Sequence, residues 1–377
     1  MTPLNTLIFG LGLFFLGLRL IGESLRRLSG PAFRSVIKRT THSPLLGAGL
    51  GMAAGALMQS ATAVTFILVS MAGGGLIKPR AAAPIIIWSN VGLTTLAFVA
   101  TLNIHPLVAF VIGGAGIALG TIRIPSWQAV AGALLGMGLI LFGLEQMGAG
   151  AAPLKDAQWF RDGISLAVSS APLAFLAGIA AAAILQSNTG AVMLVITFAA
   201  NGIIAFEPAV LMIYGTNLGA IGLRMLLAQG LTRAPLRMVR LEDLFCLVSA
   251  TLMLALHALE SAGAPLVLTF AGALPGEITT RLAAVFLLSN LLPALIMTPG
   301  IGPCSRLLER IWPDRSGSSD PGRPVFLQSQ ALNDPATALD LLGRELARLL
   351  AAVRLAPETR EDAPDGDFCR LSNAIES

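Results

Sequence analysis

The chain is poor in charge. Of its 377 residues only 12% are Asp, Glu, Lys or Arg, about half of the roughly 25% that soluble globular chains carry. It has few reactive side chains, with 3 His, 3 Cys and 1 Tyr. Cys246, Cys304 and Cys369 lie far apart without a CxxC spacing, and His42, His105 and His257 are equally isolated. These spacings support neither a disulfide framework nor a metal site. No basic residue precedes Arg19, and no small-residue cleavage motif follows the first apolar stretch. That stretch is therefore expected to be a retained span rather than a signal peptide.

Apolar residues dominate what remains. Hydrophobic residues make up 55% of the chain and the mean hydropathy is +0.77. The 40 Gly and 22 Pro lie within apolar stretches, where transmembrane helices tolerate them and soluble helices do not. This composition excludes a soluble globular domain, a nucleic-acid-binding protein and a secreted disulfide scaffold. It leaves an all-α polytopic membrane protein.

Two apolar segments have an unusual length. Residues 44–77 and 172–204 are too long for one span of about 20 residues and too short for two. Each carries a polar interruption at its middle, Gln59-Ser60-Ala61-Thr62-Ala63-Val64-Thr65 in the first and Gln186-Ser187-Asn188-Thr189 in the second. Both read as re-entrant helical hairpins, each built from two half-helices of about 15 residues, or roughly 22 Å. The landmarks recur. Gln59 is followed 31 residues later by Asn90 in Asn90-Val91-Gly92, and Gln186 is followed 31 residues later by Asn217 in Asn217-Leu218-Gly219. Upstream, Gly17 and Gly143 precede the two glutamines by 42 and 43 residues. The chain is expected to be a two-fold repeat, 1–125 and 126–305, followed by a cytoplasmic linker and helical tail over 306–377.

Loop charge sets an orientation. If both long segments are hairpins, fourteen basic residues fall on one side, from Arg26 and Arg27 through Lys78, Arg80 and Arg123 to Arg315. Only Lys155, Arg161 and Arg281 fall on the other. The positive-inside rule then puts the N-terminus outside and the C-terminus in the cytoplasm. The hairpins enter from opposite faces, so the repeats are inverted, as in many secondary transporters. The tail differs in charge: residues 316–377 carry 6 Lys+Arg against 10 Asp+Glu, whereas residues 1–315 carry 19 against 11. Asp334-Pro335 reads as a helix start, and Leu339, Leu342, Leu346, Leu349 and Val353 line one face of an amphipathic helix with Arg344 and Arg348 opposite. This tail reads as a module outside the transport path.

Polar side chains at mid-membrane depth usually bond neighbouring helices. Two matched clusters at broken helices point instead to a site, because broken backbone is tolerated only where it is buried in protein or lines a cavity. The second half-helix of each hairpin begins at the tip, so its free N–H groups form an anion site. The oxygens of Gln59, Thr62, Gln186 and Thr189 are hard ligands suited to Na⁺.

These residues resemble a known family. The two polar clusters look like the paired QSSS motifs of the type II sodium/phosphate cotransporters and their bacterial relatives. Ser89-Asn90-Val91-Gly92 and Gly215-Thr216-Asn217-Leu218-Gly219 look like that family's G-A-N-I-G-T-T stretches. The resemblance covers about residues 5–300, and the tail is similar to the linker that leads into a PhoU-like helical domain, here cut short. It implies sodium-coupled symport of inorganic phosphate across the inner membrane, without an organic cofactor and without nucleic acid. The substrate-binding candidates are Ser60, Ala61, Thr62, Ser187, Asn188, Thr189, Asn90 and Asn217. The Na⁺ candidates are Gln59, Thr62, Thr65, Thr94, Gln186, Thr189 and Thr216. The partners implied are phosphate, the lipid bilayer and, as an open option, a second copy in a homodimer. The chain departs from the family in its thinned serine runs and in Ala220-Ile221, where a threonine pair is expected.

Other polar and small residues are assigned structural roles. Arg19 and Glu23, four apart, can pair. Arg224, seven residues after Asn217 and two turns along the same face, could steer an anion, but the favoured expectation is that it snorkels inward. Gly73-Gly74-Gly75 and Gly113-Gly114 are expected to be close helix contacts or hinges. The rival readings are phosphate export, transport of another oxyanion or organic phosphate, and a non-transporting sensor acting through the tail. An enzyme is disfavoured, since no transmembrane His, Asp or Glu pair has catalytic spacing, and His257 and Glu260, three apart near a helix end, have no matched partner elsewhere. The orientation is testable by labelling. A cysteine introduced at Lys78 should react only from the cytoplasm and one at Lys155 only from outside; labelling of both from one side contradicts the inverted arrangement.

Overall fold

A computed structural model describes residues 2–28, 43–73, 77–101, 105–313, 339, 342–343 and 345–350. Every regular element among the described residues is an α-helix. In chain order these are α1 (Pro3–Leu28), α2 (Pro44–Met58), α3 (Ala61–Gly73), α4 (Pro79–Gly92), α5 (Thr95–Val99), α6 (His105–Thr121) and α7 (Pro125–Leu154). They continue as α8 (Gln158–Ala167), α9 (Ala171–Leu185), α10 (Asn188–Ala200), α11 (Phe206–Gly219), α12 (Ile221–Leu227) and α13 (Arg233–Ser261). Three further helices complete the described core: α14 (Val267–Ala273), α15 (Ile278–Met297) and α16 (Ile301–Ile311).

Among the described residues six segments are long and apolar enough to span a membrane: Pro3–Ser24, Pro79–Val99, Pro125–Leu154, Phe206–Leu227, Arg233–Ser261 and Ile278–Met297. Helices α2, α3 and α10 are apolar but, at 15, 13 and 13 residues, too short to span alone. Helix α9 also has 15 residues and meets α8 at a bend of 108°. The two broken pairs, α2/α3 and α9/α10, share one plan of a 15-residue helix, a Gln-Ser step and a 13-residue helix.

Glycine explains how closely the units pack. An added Cβ at Gly51 would lie 2.5 Å from the Ile85 carbonyl oxygen, and one at Gly178 would lie 1.9 Å from that of Met212. In the same way Gly92 abuts Met52 and Gly219 abuts Ile179. Each residue of the second set lies 127 positions after its counterpart, the same offset that separates Gln59 from Gln186. These two glycine contacts therefore recur at matched positions in the α2/α4 and α9/α11 pairs. The recurring Gly17 and Gly143 belong to a different interface, where α1 crosses α7. Their missing side chains let Gly17 approach Gly136, and Gly143 approach Gly10, at backbone distance, a small-residue crossing of the kind that membrane helices favour.

One expectation needs correction. Gly113 and Gly114 have nothing within 4 Å of an added Cβ, so they are not close helix contacts. They sit on an exposed stretch of α6. Gly74, Gly75, Asp334, Pro335, Arg344 and Val353 lie outside the described residues. Residues 345–350 are helical, and Leu342 and Leu346 on the expected apolar face are exposed. The close packing gives a direct contrast: Gly178→Ala should lower thermal stability by about 1–3 kcal/mol through overpacking, whereas Gly113→Ala should leave it unchanged. Equal melting of the two variants contradicts the packing described.

Candidate functional site

The two tips are shaped by one backbone feature. Helix α2 ends at Gln59 (φ 49°, ψ 26°) and α9 at Gln186 (φ 51°, ψ 28°), both in the left-handed region. They are the only non-glycine residues of positive φ among the described residues. An L side chain pays about 1–2 kcal/mol for that conformation, and glycine is the usual choice at such a helix end. A glutamine kept there, twice and at matched positions, marks a site where side-chain chemistry outweighs backbone ease.

The following serines start the second half-helices. Ser60 Oγ accepts from the Ala63 N–H at 3.2 Å, and Ser187 Oγ accepts from the Gly190 N–H at 3.0 Å. Each serine is thus an N-cap. The remaining first-turn N–H groups of α3 and α10 have no intrahelical carbonyl to reach.

Both tips open on one cavity of about 430 Å³. It is lined by Gln59, Ser60, Ala61 and Thr62 from the first tip and by Gln186, Ser187, Asn188 and Thr189 from the second, with Asn90 and Asn217 between them. Eight substrate candidates, distant in sequence, are therefore brought together. Of the Na⁺ candidates, Gln59, Thr62, Gln186 and Thr189 line the same cavity; Thr65, Thr94 and Thr216 do not. Thr94, in the turn between α4 and α5, and Thr216, in α11, are buried and donate to the carbonyls of Val91 at 2.8 Å and Ile213 at 2.7 Å.

The tips are matched but not equal. Gln59 is buried; its Nε2 donates to the Ala56 carbonyl at 2.7 Å, which leaves Oε1 without a protein partner. Gln186 is exposed. Asn188 Nδ2 donates to Asn217 Oδ1 at 2.6 Å, Asn217 Nδ2 donates to Ser249 Oγ at 2.8 Å, and Ser249 Oγ donates to the Ser289 carbonyl at 2.5 Å. The second tip is thus tied through α11 and α13 to α15. Asn90, by contrast, donates only within its own helix, to the Ile86 carbonyl at 3.1 Å. Thr189 Oγ1 and Asn188 Oδ1 are, like Gln59 Oε1, buried oxygens without hydrogen-bond partners.

The sequence reading missed the charged wall of the cavity. Arg224 does not snorkel, being 2% exposed. Its Nε donates to Asp243 Oδ1 at 2.7 Å, its Nη1 to Glu242 Oε1 at 3.1 Å and to Thr62 Oγ1 at 3.2 Å, and its Nη2 to Cys246 Sγ at 3.1 Å. Arg240 holds the other Asp243 oxygen at 2.7 Å. Read as a sequence, Arg233–Asp243 looks like a loop flanking an apolar stretch. In the structure it is the first third of α13, and Glu242 and Asp243 are buried within that helix. The available signal was spacing: Arg237, Arg240 and Asp243 recur every three residues, as one helix face requires. Arg19 and Glu23 pair at 2.7 Å as expected, with the Arg19 side chain 75% exposed. Glu260 has a structural role. It accepts from the N–H groups of Leu266, Leu268 and Thr269 and so caps α14.

A helical bundle with six candidate spans among the described residues, and a cavity at the point where two apolar helices break, defines a polytopic membrane protein. The sequence matches the Na⁺/Pi-cotransporter family over residues 13–149 and 155–274, and the chain belongs to that family. It is 29% identical over 358 residues to the protein of Escherichia coli (strain K12) named "Putative inorganic phosphate export protein YjbB", a match covering 93% of this chain and 63% of that protein. The Salmonella typhimurium protein of the same name is 28% identical over the same span. The uncharacterized protein YqeW of Bacillus subtilis (strain 168) is 26% identical over 209 residues, 55% of this chain and 67% of that protein. The chain thus spans less than two thirds of the YjbB proteins it matches. No solved structure matches it.

Proposed function

We propose that this chain is a Na⁺-coupled symporter of inorganic phosphate in the inner membrane. The observation that carries the reading is the single cavity of about 430 Å³ built from both Gln-Ser tips. That volume suits a tetrahedral oxyanion together with its ions and water. Half-helix N-termini supply N–H donors for the anion. The unpartnered oxygens of Gln59, Thr189 and Asn188 are hard ligands for Na⁺. The substrate residues are Ser60, Ala61, Thr62, Ser187, Asn188 and Thr189, with Asn90 and Asn217. Gln59, Thr62, Gln186 and Thr189 serve the cation; Thr94 and Thr216 support the helix ends. The two broken pairs are re-entrant hairpins of inverted repeats. At 13–15 residues each half reaches about 20–22 Å, past the midplane but not across. The family's name supports both the ion and the anion.

Coupling has an energetic reason. Bringing a divalent phosphate into a negative cell costs about 4.6 kcal/mol per 100 mV, twice the single-charge value, and cation co-entry offsets it. The name of the YjbB relatives favours a second reading, outward movement of phosphate. The same cavity serves either direction, since the gradients set the net flux.

Paired ²²Na⁺ and ³²P flux in proteoliposomes tests both readings. Phosphate flux should require Na⁺ on the same side, and gradients imposed in each direction distinguish uptake from export. Gln59→Ala removes a buried ligand that water cannot easily replace, at about 1–3 kcal/mol, so apparent Na⁺ affinity should fall roughly 5- to 150-fold. Gln186→Ala should do less, because that side chain is exposed. Unchanged Na⁺ dependence in both variants, at normal expression, reduces the tips to structural contacts.

A further inference from the structure

A second cavity, of about 320 Å³, lies away from the tips, where α4, α13 and α16 meet. Its cations are Lys78 and Arg80 at the start of α4 and Arg237 in the second turn of α13. Among the described residues Glu309 of α16 is the one carboxylate in its wall. Lys78 is exposed and pairs with no carboxylate among the described residues. Arg80 reaches Glu309 through Nη2, at 3.3 Å to each oxygen, and both side chains are exposed. A long, exposed pair of this kind contributes little, so it yields readily to another anion. Lys78 and Arg80 alone outnumber Glu309, and the first turns of α4 and α13 add the partial positive charge of two helix starts.

The depth of this cavity narrows the choice of ligand. The candidate spans Pro79–Val99 and Arg233–Ser261 both begin at it, so it sits where hydrocarbon gives way to headgroups. Ala83 and Leu241, which also line it, stand one turn deeper along α4 and α13 than Arg80 and Arg237. Met238 and Leu308 extend the apolar part. The cavity is thus cationic at the span ends and apolar toward the hydrocarbon. A soluble phosphate uses only the first part. A phospholipid uses both, its phosphate meeting the cations and the Ser305 hydroxyl and its first acyl carbons meeting the apolar side chains. Basic pockets between membrane helices recognise lipid headgroups in this way.

We propose that this cavity binds the phosphate of an anionic phospholipid, held by Lys78 and Arg80, with Glu309 as the internal anion that competes for Arg80. It shares no residue with the cavity between the tips, and the proposal does not rest on the transport reading. Its consequence is mechanical. Helix α4 packs on α2 of the first tip through Gly51 and Gly92. Helix α13 carries Glu242, one residue past Leu241, which accepts from Thr62 of the same tip. A lipid that bridges α4 to α13 therefore braces both supports of the first tip.

The test is equilibrium binding of ³²P-phosphatidylglycerol to the purified full chain in mixed micelles that contain phosphatidylcholine. Wild type should bind it saturably, and unlabelled phosphatidylcholine should displace it poorly. Lys78→Gln should weaken binding about fivefold, the worth of one basic residue at a membrane surface, and Lys78→Gln with Arg80→Gln about 25-fold. Glu309→Gln removes the competing anion and should tighten binding. Lys155→Gln, outside this cavity, should leave it unchanged. Displacement by inorganic phosphate or glycerol 3-phosphate, at concentrations matching the lipid, assigns the site to a soluble phosphate and overturns the lipid reading. Unchanged binding in the folded double variant, or an equal loss in Lys155→Gln, overturns the proposal. If the double variant does not fold, unchanged affinity in Lys78→Gln, at an exposed position, overturns it. The assay involves neither Na⁺ nor flux, so failure of the transport reading leaves this result standing, and failure here leaves the transport reading untouched.

Discussion

Backbone that is neither helix nor sheet is hard to place in a bilayer, because each unmet N–H or C=O costs several kcal/mol in hydrocarbon. The chain breaks two apolar helical segments, at Gln59 and Gln186, and much of the surrounding structure bears on how those breaks are held. Serine N-caps take one N–H at each tip. The α2/α4 and α9/α11 pairs press together through glycine at backbone contact, so one face of each broken segment is packed against protein. What is left open between the tips is a polar cavity walled by the ends of four half-helices.

The second constraint is the buried charge cluster. Arg224 on α12 and Glu242 on α13 both hydrogen-bond Thr62 of the first tip, while Asp243 pairs with Arg224. A neutral hydroxyl of the first tip is thus held by a buried ion pair from the second half of the chain. The second tip is held differently, by the neutral Asn188–Asn217–Ser249 chain. One tip therefore answers to charge and the other to hydrogen bonding, an asymmetry that suits unequal roles for two otherwise matched motifs.

Much of this was legible in the sequence. Helix class, span composition, the breaks at Gln59 and Gln186 and the pairing with Asn90 and Asn217 all follow from apolar length and from a repeat that keeps its spacing. The convergence of the tips could be inferred only by assuming opposed hairpins, whereas the cavity shows the meeting itself. The charged wall was not legible for a specific reason. Hydropathy treats Arg233–Asp243 as the edge of a span, and an arginine near an edge ordinarily snorkels. The side of α13 on which Glu242 and Asp243 fall, and their meeting with Arg224, depend on tertiary packing. Gly113 and Gly114 failed in the opposite sense, since glycine in a membrane helix suggests close contact but does not require it. Ser289-Asn290, buried in α15, was overlooked because nothing marks it as repeated.

The central claim is that one cavity binds Na⁺ and phosphate interdependently. Equilibrium binding of ³²P-phosphate to the purified protein over a range of Na⁺, paired with ²²Na⁺ binding over a range of phosphate, measures this most directly. The account predicts that each ligand tightens the other by the same factor, as linkage requires. Phosphate binding independent of Na⁺, with Na⁺ binding equally indifferent to phosphate, would contradict it.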